Sequence, residues 1–428
     1  MDESRFTFTQ LVSLSIAMSL FFAFDQVIGF VARIVFRLTL TPEVYGVFAF
    51  LINIFVFFVG LNSFSMNVPI IARISENPSD DEFYRSFSGQ IFTSSVLFGA
   101  GLSIIFFAWT LVSTNEFIIV LFLALMILIH SSDQIMHCFP RGRERFRPVA
   151  VSLLIVGFLR IAFLLPFVFG FFRNLFYVMI LYVLPFLGWW VSYIYFEGVP
   201  RFRYPKPRFL LGVYTDAFIS YLYPLGMQAP VVLGVVLLTS FHGFQTAGNL
   251  DIALLPFLAL ASLFTGISFV TISKARKLPS FRRLLNRMKK SAALPMFVLS
   301  IVLLIVAFLF ESSIKPLLAW LELPLTVYWP IVLLVSIGVP FRIAISIFVS
   351  YFQGHGKIKP VGAIIGVCSL GSIPLQVLLA YYLSIEGVIL SMISISVAIV
   401  CLLLVYGYRE SRNLKEAVDT ASKVDESM

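Results

Sequence analysis

The stretch FAFDQVIGFVARIVF, residues 22–36, lies within a long apolar run, yet it contains Asp25 and Arg33. The run is long and apolar enough to cross a lipid bilayer as a helix. A charged side chain at the centre of a bilayer costs about 2.5–3.5 kcal/mol on insertion scales. Both charges therefore need either a partner inside the protein or a water-filled cavity.

The composition of the chain is typical of a membrane protein. Of its 428 residues, 59% are hydrophobic and only 12% are charged, which is about half the charged fraction of soluble domains. Apolar runs of about twenty residues, the length that spans a bilayer, recur along nearly the whole sequence. We expect the first run to be a retained helix, because no signal-peptide cleavage site follows it.

The apolar runs predict an all-α fold with about twelve membrane-spanning helices. We place these spans at residues 9–37, 46–72, 86–112, 117–138, 149–170, 174–196, 209–239, 247–273, 291–310, 324–351, 360–382 and 385–408.

Basic residues lie mainly on one side of these spans. The connections after spans four, six and eight carry 16 of the 31 Lys and Arg residues, within 140–148, 200–208 and 274–290. By the positive-inside rule, these connections and both termini are predicted to be cytoplasmic, in a plasma (cytoplasmic) membrane. The net charge of +9 then reflects topology, and we predict no nucleic-acid partner. Residues 274–290 either lie as an amphipathic helix on the anionic leaflet or form a solvated linker.

An internal repeat divides the chain into two halves. TLTPEVYGVFAF after span one and SFHGFQTAGNLD after span seven each place a short polar loop and a glycine, Gly46 or Gly248, before an apolar run. The turns FPRGRERFRP and FQGHGKIKP form a second matching pair, each ending in proline. We therefore predict two pseudo-symmetric six-helix lobes around a central cavity. The predicted divisions are 1–208, 209–408 and a polar cytoplasmic tail at 409–428.

The same motifs carry a family resemblance. ARIVFRLTLTPEVYGVFAF (32–50) resembles the first inter-helical loop of Wzx-type polysaccharide flippases, with its arginine and L-x-P-E-x-Y-G turn. FQTAG (244–248) is similar to the half-way counterpart in that family, although Asn249 stands where the family usually has tyrosine, and QGHGKIK (353–359) is similar to another turn of the family. The resemblance implies the multidrug/oligosaccharidyl-lipid/polysaccharide exporter superfamily, which includes multidrug exporters, lipid II flippases and oligosaccharide-lipid flippases. Asn249 and the count of twelve spans, where some branches have fourteen, leave the subfamily and the substrate open.

Several charged residues interrupt the predicted spans. They are Asp25, Arg33, Asp133, Arg160, Asp216, Asp251 and Arg342. At about 100° per residue, Asp25, Arg33 and the nearby Arg37 fall within a sector of roughly 120° on span one, where they can face one cavity. Gly29 lies between them, where a helix can bend or a ligand can approach.

Span seven contains residues that disturb helices. YLYPLGMQAPVV places Pro224, Gly226 and Pro230 in mid-membrane. Proline removes a backbone hydrogen bond, so a helix broken here would free carbonyl groups that protein, ligand or water must satisfy. Together with Gly29, these three residues are our candidates for a gating hinge.

The charges have two possible roles. Arginine binds phosphate bidentately and stays charged, so Arg33, Arg160 and Arg342, with Arg37, are candidates for binding a (di)phosphate headgroup. Asp25, Asp133, Asp216 and Asp251 could hold those arginines in the empty protein or carry a coupling proton or Na⁺. The alternative is that such pairs are buried salt bridges that only fix helix packing.

A possible metal site lies in span four. His130, Asp133 and His137 share a helical face, but the sequence places no fourth strong ligand beside them. A polar face lining a cavity and ordinary helix–helix hydrogen bonding are the other interpretations. We predict no metal and no cofactor.

Two other functional classes remain open. A cation-coupled multidrug exporter would have the same fold, although three intramembrane arginines argue against a cationic substrate. A membrane glycan polymerase or ligase would need catalytic residues on a sizeable external loop, and the sequence contains no phosphate-binding loop or nucleophile elbow. We predict a non-enzymatic flippase whose partners are its glycolipid substrate, membrane lipids and glycan-assembly enzymes.

Overall fold

The computed structural model describes residues 8–63, 67–76, 79–143, 145–171, 174–263, 281, 294–320 and 328–425. Within these ranges every regular element is a helix. Of the basic segment 274–290, only Phe281 is described, so the amphipathic helix predicted there lies outside the described residues.

The helices of the first half run from the N-terminus to residue 197. They are α1 (Phe8–Thr39), α2 (Pro42–Ser63), α3 (Asn67–Glu76), α4 (Asp81–Thr114), α5 (Phe117–Met136), α6 (Cys138–Gly142), α7 (Arg147–Val168), α8 (Leu175–Val183) and α9 (Leu187–Glu197). A 3₁₀ turn, Leu184–Phe186, joins α8 to α9 at Pro185, where proline fits the first turn of a helix.

The helices of the second half begin at residue 207. They are α10 (Pro207–His242), α11 (Phe244–Leu263), α12 (Leu294–Leu309), α13 (Glu311–Trp320), α14 (Tyr328–Leu333), α15 (Val339–Gly354), α16 (Ile358–Gly371) and α17 (Ile373–Asp425). A π-helical turn, Leu334–Gly338, connects α14 to α15. The backbone of α17 breaks at Ser384, where φ is 51°.

In the described residues, these helices follow the predicted spans closely. The break at Ser384 separates the predicted spans 360–382 and 385–408. The second predicted span, 46–72, covers most of α2 and the first residues of α3, and its residues 64–66 lie outside the described residues. Residues 264–273, 291–293 and 324–327 of three later predicted spans lie outside them as well. The 22 residues of α2 suffice to cross the hydrocarbon core.

The chain is a multi-pass membrane protein. In the described part, six helical stretches are long and apolar enough to cross a membrane, and Phe117–His130 and Gln228–His242 are shorter apolar helices. Many large apolar side chains are exposed on α4, α5, α7 and α12, such as Ile104, Ile118 and Phe308. Surfaces of this kind are stable in lipid, not in water.

The two halves meet along α2 and α11, and α1 also packs on α11. Gly46 and Gly248, the matching glycines of the repeat, lie against each other, because a Cβ on Gly248 would be 3.0 Å from the Cα of Gly46. We call the end of the bundle where α1 ends and α2 and α11 begin the Gly46 end. The opposite end, which holds residues 198–206, is the linker end.

The first turns of α10 also pack against the first half. Val213 and Ala217 are fully buried in a cluster with residues of α3, α4, α5, α6 and α9. The first helix of the second half therefore contacts both halves. The exact division at residue 208/209 stays a prediction.

Candidate functional site

A cavity of about 220 Å³ lies among helices of both halves. Its walls come from α1, α2, α5, α7, α8, the 3₁₀ turn and α11, and include Gln26, Gly29, Arg33, His130, Arg160, Tyr182 and Leu255. Two of the three intramembrane arginines predicted to bind substrate, Arg33 and Arg160, thus line one cavity.

Arg160 is held by Asp25. Its Nη1 donates to Asp25 Oδ1 over 2.6 Å and to the Asp25 backbone carbonyl over 3.1 Å. Both side chains are buried, and the Arg160 guanidinium also lies 4.7 Å from the centre of the Phe186 ring. The pair explains how Asp25 is accommodated inside the membrane, since each charge offsets the desolvation of the other.

Gly29 allows this arrangement. A Cβ at residue 29 would lie 3.2 Å from Nη1 of Arg160 and 3.9 Å from the hydroxyl oxygen of Tyr182. The guanidinium therefore lies almost directly on the backbone of α1, one turn after Asp25. Glycine at this position permits the close approach of Arg160 to α1. Its role as a hinge stays a prediction.

Arg33 is held by a carboxylate of the other half. Its Nη1 donates to Asp251 Oδ1 over 2.6 Å, and its Nε donates to the Tyr182 hydroxyl over 3.0 Å. Asp251 also accepts from the Tyr45 hydroxyl at 2.7 Å and from Asn53 Nδ2 at 3.0 Å. The carboxylate thus has three donors in a site where its side chain is 3% exposed, as a buried charge requires.

A second polar contact between the halves lies nearer the Gly46 end. Arg37 Nη2 donates to Asn249 Oδ1 over 3.4 Å, and the Arg37 guanidinium lies 5.9 Å from the centre of the Tyr45 ring. Arg37 and Asn249 are both buried. The contacts of Arg33 and Arg37 with α11 therefore form a polar layer between the cavity and the Gly46–Gly248 contact.

The two cavity arginines share one aromatic side chain. The centre of the Tyr182 ring is 5.2 Å from Cζ of Arg33 and 5.3 Å from Cζ of Arg160. Both guanidinium groups thus lie beside the same ring, each with one carboxylate partner. Such a pair can bind a phosphate if the phosphate replaces one or both carboxylates.

The other predicted site residues lie elsewhere. Arg342 is half-buried on α15 and is not among the residues that line the cavity. Asp133 lies on α5 and Asp216 on α10, but their side chains lie outside the described part of the structure. Their roles stay predictions.

The helix of span seven is continuous across Pro224, Gly226 and Pro230, because α10 is helical over Pro207–His242. Pro230 has no N–H to donate to the Gly226 carbonyl, and Ser369 Oγ of α16 donates to that carbonyl instead, over 3.0 Å. Gln376 Nε2 donates to the Pro230 carbonyl over 2.5 Å. The Ser369 side chain of α16 therefore replaces the lost backbone bond, and Gln376 of α17 adds a second bond to α10. A hinge at Pro224, Gly226 and Pro230 stays a prediction.

The histidines of α5 pack against aromatic rings. His130 stacks on Phe186 with 4.4 Å between ring centres, and His137 contacts the edge of Trp189 at 4.3 Å. Among the described side chains, which do not include Asp133, no group of three or more His, Cys, Asp or Glu is arranged to hold a metal ion.

Sequence reasoning missed the neutral residues of the site. Asn53 is a lone amide within an apolar run, and Tyr45 directly precedes the repeat glycine; both signals were available. Tyr182 carries no such signal, because it is one of many aromatic residues in apolar runs.

A family model described as Polysaccharide biosynthesis protein matches residues 13–272, which is more than half of the chain. This match confirms the family resemblance seen in the motifs. No curated protein matches the sequence.

Solved structures show the same fold at low sequence identity. The lipid II flippase MurJ in an inward closed conformation gives a TM-score of 0.68 at 17% identity, covering 91% of this chain and 87% of that chain. An inward-facing multidrug resistance MATE family transporter gives 0.66 at 13% identity, covering 91% and 96%. An outward-facing conformation of such a transporter gives 0.63 at 15% identity, covering 95% and 96%. These likenesses confirm the all-α, two-lobe, twelve-span fold.

Proposed function

Because the chain belongs to the polysaccharide biosynthesis protein family, we propose that it is a flippase for polyisoprenyl-(di)phosphate-linked oligosaccharides. It moves them from the cytoplasmic to the external leaflet by alternating access. The observation that carries the proposal is the cavity in which Arg33 and Arg160 lie beside one tyrosine, each held by a single carboxylate.

The chemistry of the pair fits an anionic headgroup. A guanidinium binds phosphate oxygens in a bidentate manner. In the empty protein, Asp25 and Asp251 neutralise the two arginines, so the site is stable without substrate. A headgroup phosphate competes with these carboxylates for the same N–H donors, which favours a doubly charged diphosphate over a neutral lipid.

The location of the Arg33–Asp251 pair links binding to conformation. Arg33 belongs to the first half and Asp251 to the second, so a phosphate that takes Arg33 removes a contact that holds the halves together. By the positive-inside rule, the Gly46 end is external and both termini are cytoplasmic. Release of Asp251 then favours opening toward the external side, and a proton or Na⁺ is our candidate for the ion that neutralises the freed carboxylate.

The fold supports such a cycle. Solved structures of similar fold include an inward-facing and an outward-facing transporter. Translocation requires differential binding to two such states, and it requires no covalent chemistry. We therefore propose a transport function without enzymatic activity.

Leaflet translocation in proteoliposomes tests the proposal. A polyisoprenyl-diphosphate oligosaccharide is placed in one leaflet, and its arrival in the other is read with a membrane-impermeant glycosidase. Wild type is compared with Arg33→Gln and Arg160→Gln, with Arg342→Gln to test the third arginine, and with Arg409→Gln as an exposed control.

We expect translocation by wild type and by the control, and loss of translocation in both cavity variants. Wild-type protein that ignores the glycolipid but transports cationic dyes along an ion gradient would overturn the proposal in favour of a multidrug exporter. Full translocation by folded Arg33→Gln and Arg160→Gln would overturn the role of the cavity.

A further inference from the structure

The linker between the two halves, residues 198–206, forms a fixed strap on α4. The backbone N–H of Arg203 donates to Thr93 Oγ1 over 3.1 Å, and that of Lys206 donates to Gln90 Oε1 over 3.1 Å. Gly89 lets the strap approach, because a Cβ there would lie 2.7 Å from the Arg201 carbonyl oxygen. The strap has no regular secondary structure, yet hydrogen bonds with α4 fix its position.

A groove of about 540 Å³ opens between this strap and α4. It is lined by Thr93, Leu97, Phe202, Arg203, Tyr204, Pro205 and Pro207. The Phe202 ring packs 5.0 Å from that of Phe92. Leu97, Phe202 and Tyr204 are 64%, 69% and 86% exposed, so apolar and aromatic surface faces outward at this end of the protein.

The length of α4 indicates the depth of the groove in the membrane. The 34 residues of α4 make a helix of about 51 Å, which is longer than the ~30 Å hydrocarbon core. Thr93 lies about 18 Å from the start of α4 at 1.5 Å per residue. The first turns of α4 carry Asp81, Glu82 and Arg85, whereas residues 104–114 contain no charged side chain. We therefore place the excess length at the linker end, with Thr93 at the boundary and Leu97 in the acyl region.

The charge of the strap is of one sign. Residues 198–208 contain Arg201, Arg203, Lys206 and Arg208 and no acidic residue, and all four side chains are exposed. The nearest acid in the chain, Glu197, is buried and accepts a hydrogen bond from the Tyr84 hydroxyl at 2.9 Å. Among the described residues, none of these four cations forms an ion pair with an acidic side chain. Arg203 lines the groove itself, beside an apolar wall that continues into the lipid-facing surface of α4.

We propose that this groove binds an anionic phospholipid of the cytoplasmic leaflet. Arg203 and Lys206 attract its phosphate, Tyr204 lies at headgroup level, and an acyl chain follows the surface that begins at Leu97. Basic residues and aromatic rings at this depth are the usual determinants of such recognition. The inference does not depend on the transported substrate, because the groove is separate from the cavity of Arg33 and Arg160.

Occupation of the groove has a consequence for the two halves. The strap joins α9 of the first half to α10 of the second. A lipid that bridges the strap and α4 therefore fixes the start of α10 against the first half.

Fluorescence quenching tests the proposal on the full chain in detergent micelles. Tyr204→Trp places a reporter in the groove, and the unsubstituted protein gives the background of the five native tryptophans. Brominated-acyl phosphatidylglycerol and brominated-acyl phosphatidylcholine are titrated in parallel. We expect half-quenching at a phosphatidylglycerol concentration about tenfold or more below that of phosphatidylcholine, given the contribution of each basic residue near an anionic surface.

Two matched double variants distinguish lipid binding at the groove from general electrostatic attraction of anionic lipid to this end of the protein. In the reporter background, Arg203→Gln with Lys206→Gln is expected to remove most of the preference, about fivefold for each cation. Lys359→Gln with Arg409→Gln removes the same charge from exposed positions at the same end and is expected to leave it intact. Equal quenching by the two lipids, or equal loss of preference in both double variants, would overturn the proposal.

Discussion

Arg33 and Asp251 are 218 residues apart in the chain, yet their side chains are joined by a hydrogen bond of 2.6 Å. The first residue lies on the first helix of the first half, and the second lies on the second helix of the second half. The bond therefore joins the two halves inside the membrane, directly beside the cavity. Its loss or exchange is the step that our proposed cycle requires.

Neutralising one member of this pair is expected to destabilise the protein more than neutralising both. Arg33→Gln or Asp251→Asn leaves a buried charge without its partner, at a cost of about 3–5 kcal/mol. The double variant leaves neither charge, so it should be more stable than either single variant. Thermal unfolding in detergent measures this, and strictly additive losses would contradict the pairing.

Lysine at position 160 is expected to separate stability from transport. Arg160→Lys keeps a positive charge beside Asp25 but lacks the planar fork that binds phosphate in a bidentate manner. We expect a melting temperature closer to wild type than that of Arg160→Gln, with glycolipid translocation strongly reduced. If Arg160→Lys translocates at the wild-type rate, Arg160 serves only to neutralise Asp25.

A methyl group at Gly46 is expected to push the two halves apart. A Cβ at this position would overlap the Phe244 backbone carbonyl, so Gly46→Ala should lose about 1–3 kcal/mol through overpacking. Gly101→Ala is the matched control, because a Cβ there meets nothing within 4 Å and alanine favours the helix. The melting temperatures of the two variants should differ, and equal values would count against the close contact.

Removal of the Ser369 hydroxyl is expected to expose the missing hydrogen bond of α10. Ser369→Ala leaves the Gly226 carbonyl without the donor that replaces the absent N–H of Pro230. Inter-helical hydrogen bonds of this kind contribute about 0.6–2 kcal/mol in membranes. Ser394→Ala is the control, since this exposed serine donates to Leu390 of its own helix. In denaturation experiments in mixed micelles, Ser369→Ala should have a lower free energy of unfolding than wild type, and Ser394→Ala should not.

A surface ion pair outside the spans predicts the direction in which the stability of the folded protein changes with pH. Lys357 Nζ lies 2.9 Å from Glu410 Oε1, and the hydrogen bond to Glu410 raises the pKa of Lys357 above its ordinary value. A raised pKa stabilises the folded state below about pH 10.4, and this contribution is lost as the pH rises through the folded pKa. The difference in melting temperature between wild type and Lys357→Gln should therefore shrink above that pH. A constant difference up to pH 11.5, or the same profile for Lys359→Gln, would contradict this account.

The positions of the helices, and the presence of charged residues within the membrane spans, could be predicted from the sequence. An apolar run long enough to cross a bilayer becomes a helix whatever surrounds it, because every backbone N–H and C=O group must be paired inside lipid. The division between two of these apolar runs, which the structure places at Ser384, was also predicted from the sequence. The match of Gly46 with Gly248 was visible as a sequence repeat, whereas the close contact between the two glycines was shown only by the structure.

The partners of the charges were decided by the tertiary structure. Asp25 and Arg33 lie eight residues apart on one helix, yet Asp25 pairs with Arg160 of α7 and Arg33 with Asp251 of α11. The spacing along α1 gives the direction of each side chain, but not which helix packs there or at what rotation. The continuity of α10 across Pro230 was decided in the same way. The donor that compensates for proline, Ser369, lies 143 residues from Gly226, whose carbonyl accepts the bond. Local hydrophobicity thus determines where the chain crosses the membrane, whereas the ion pairs depend on contacts between distant helices.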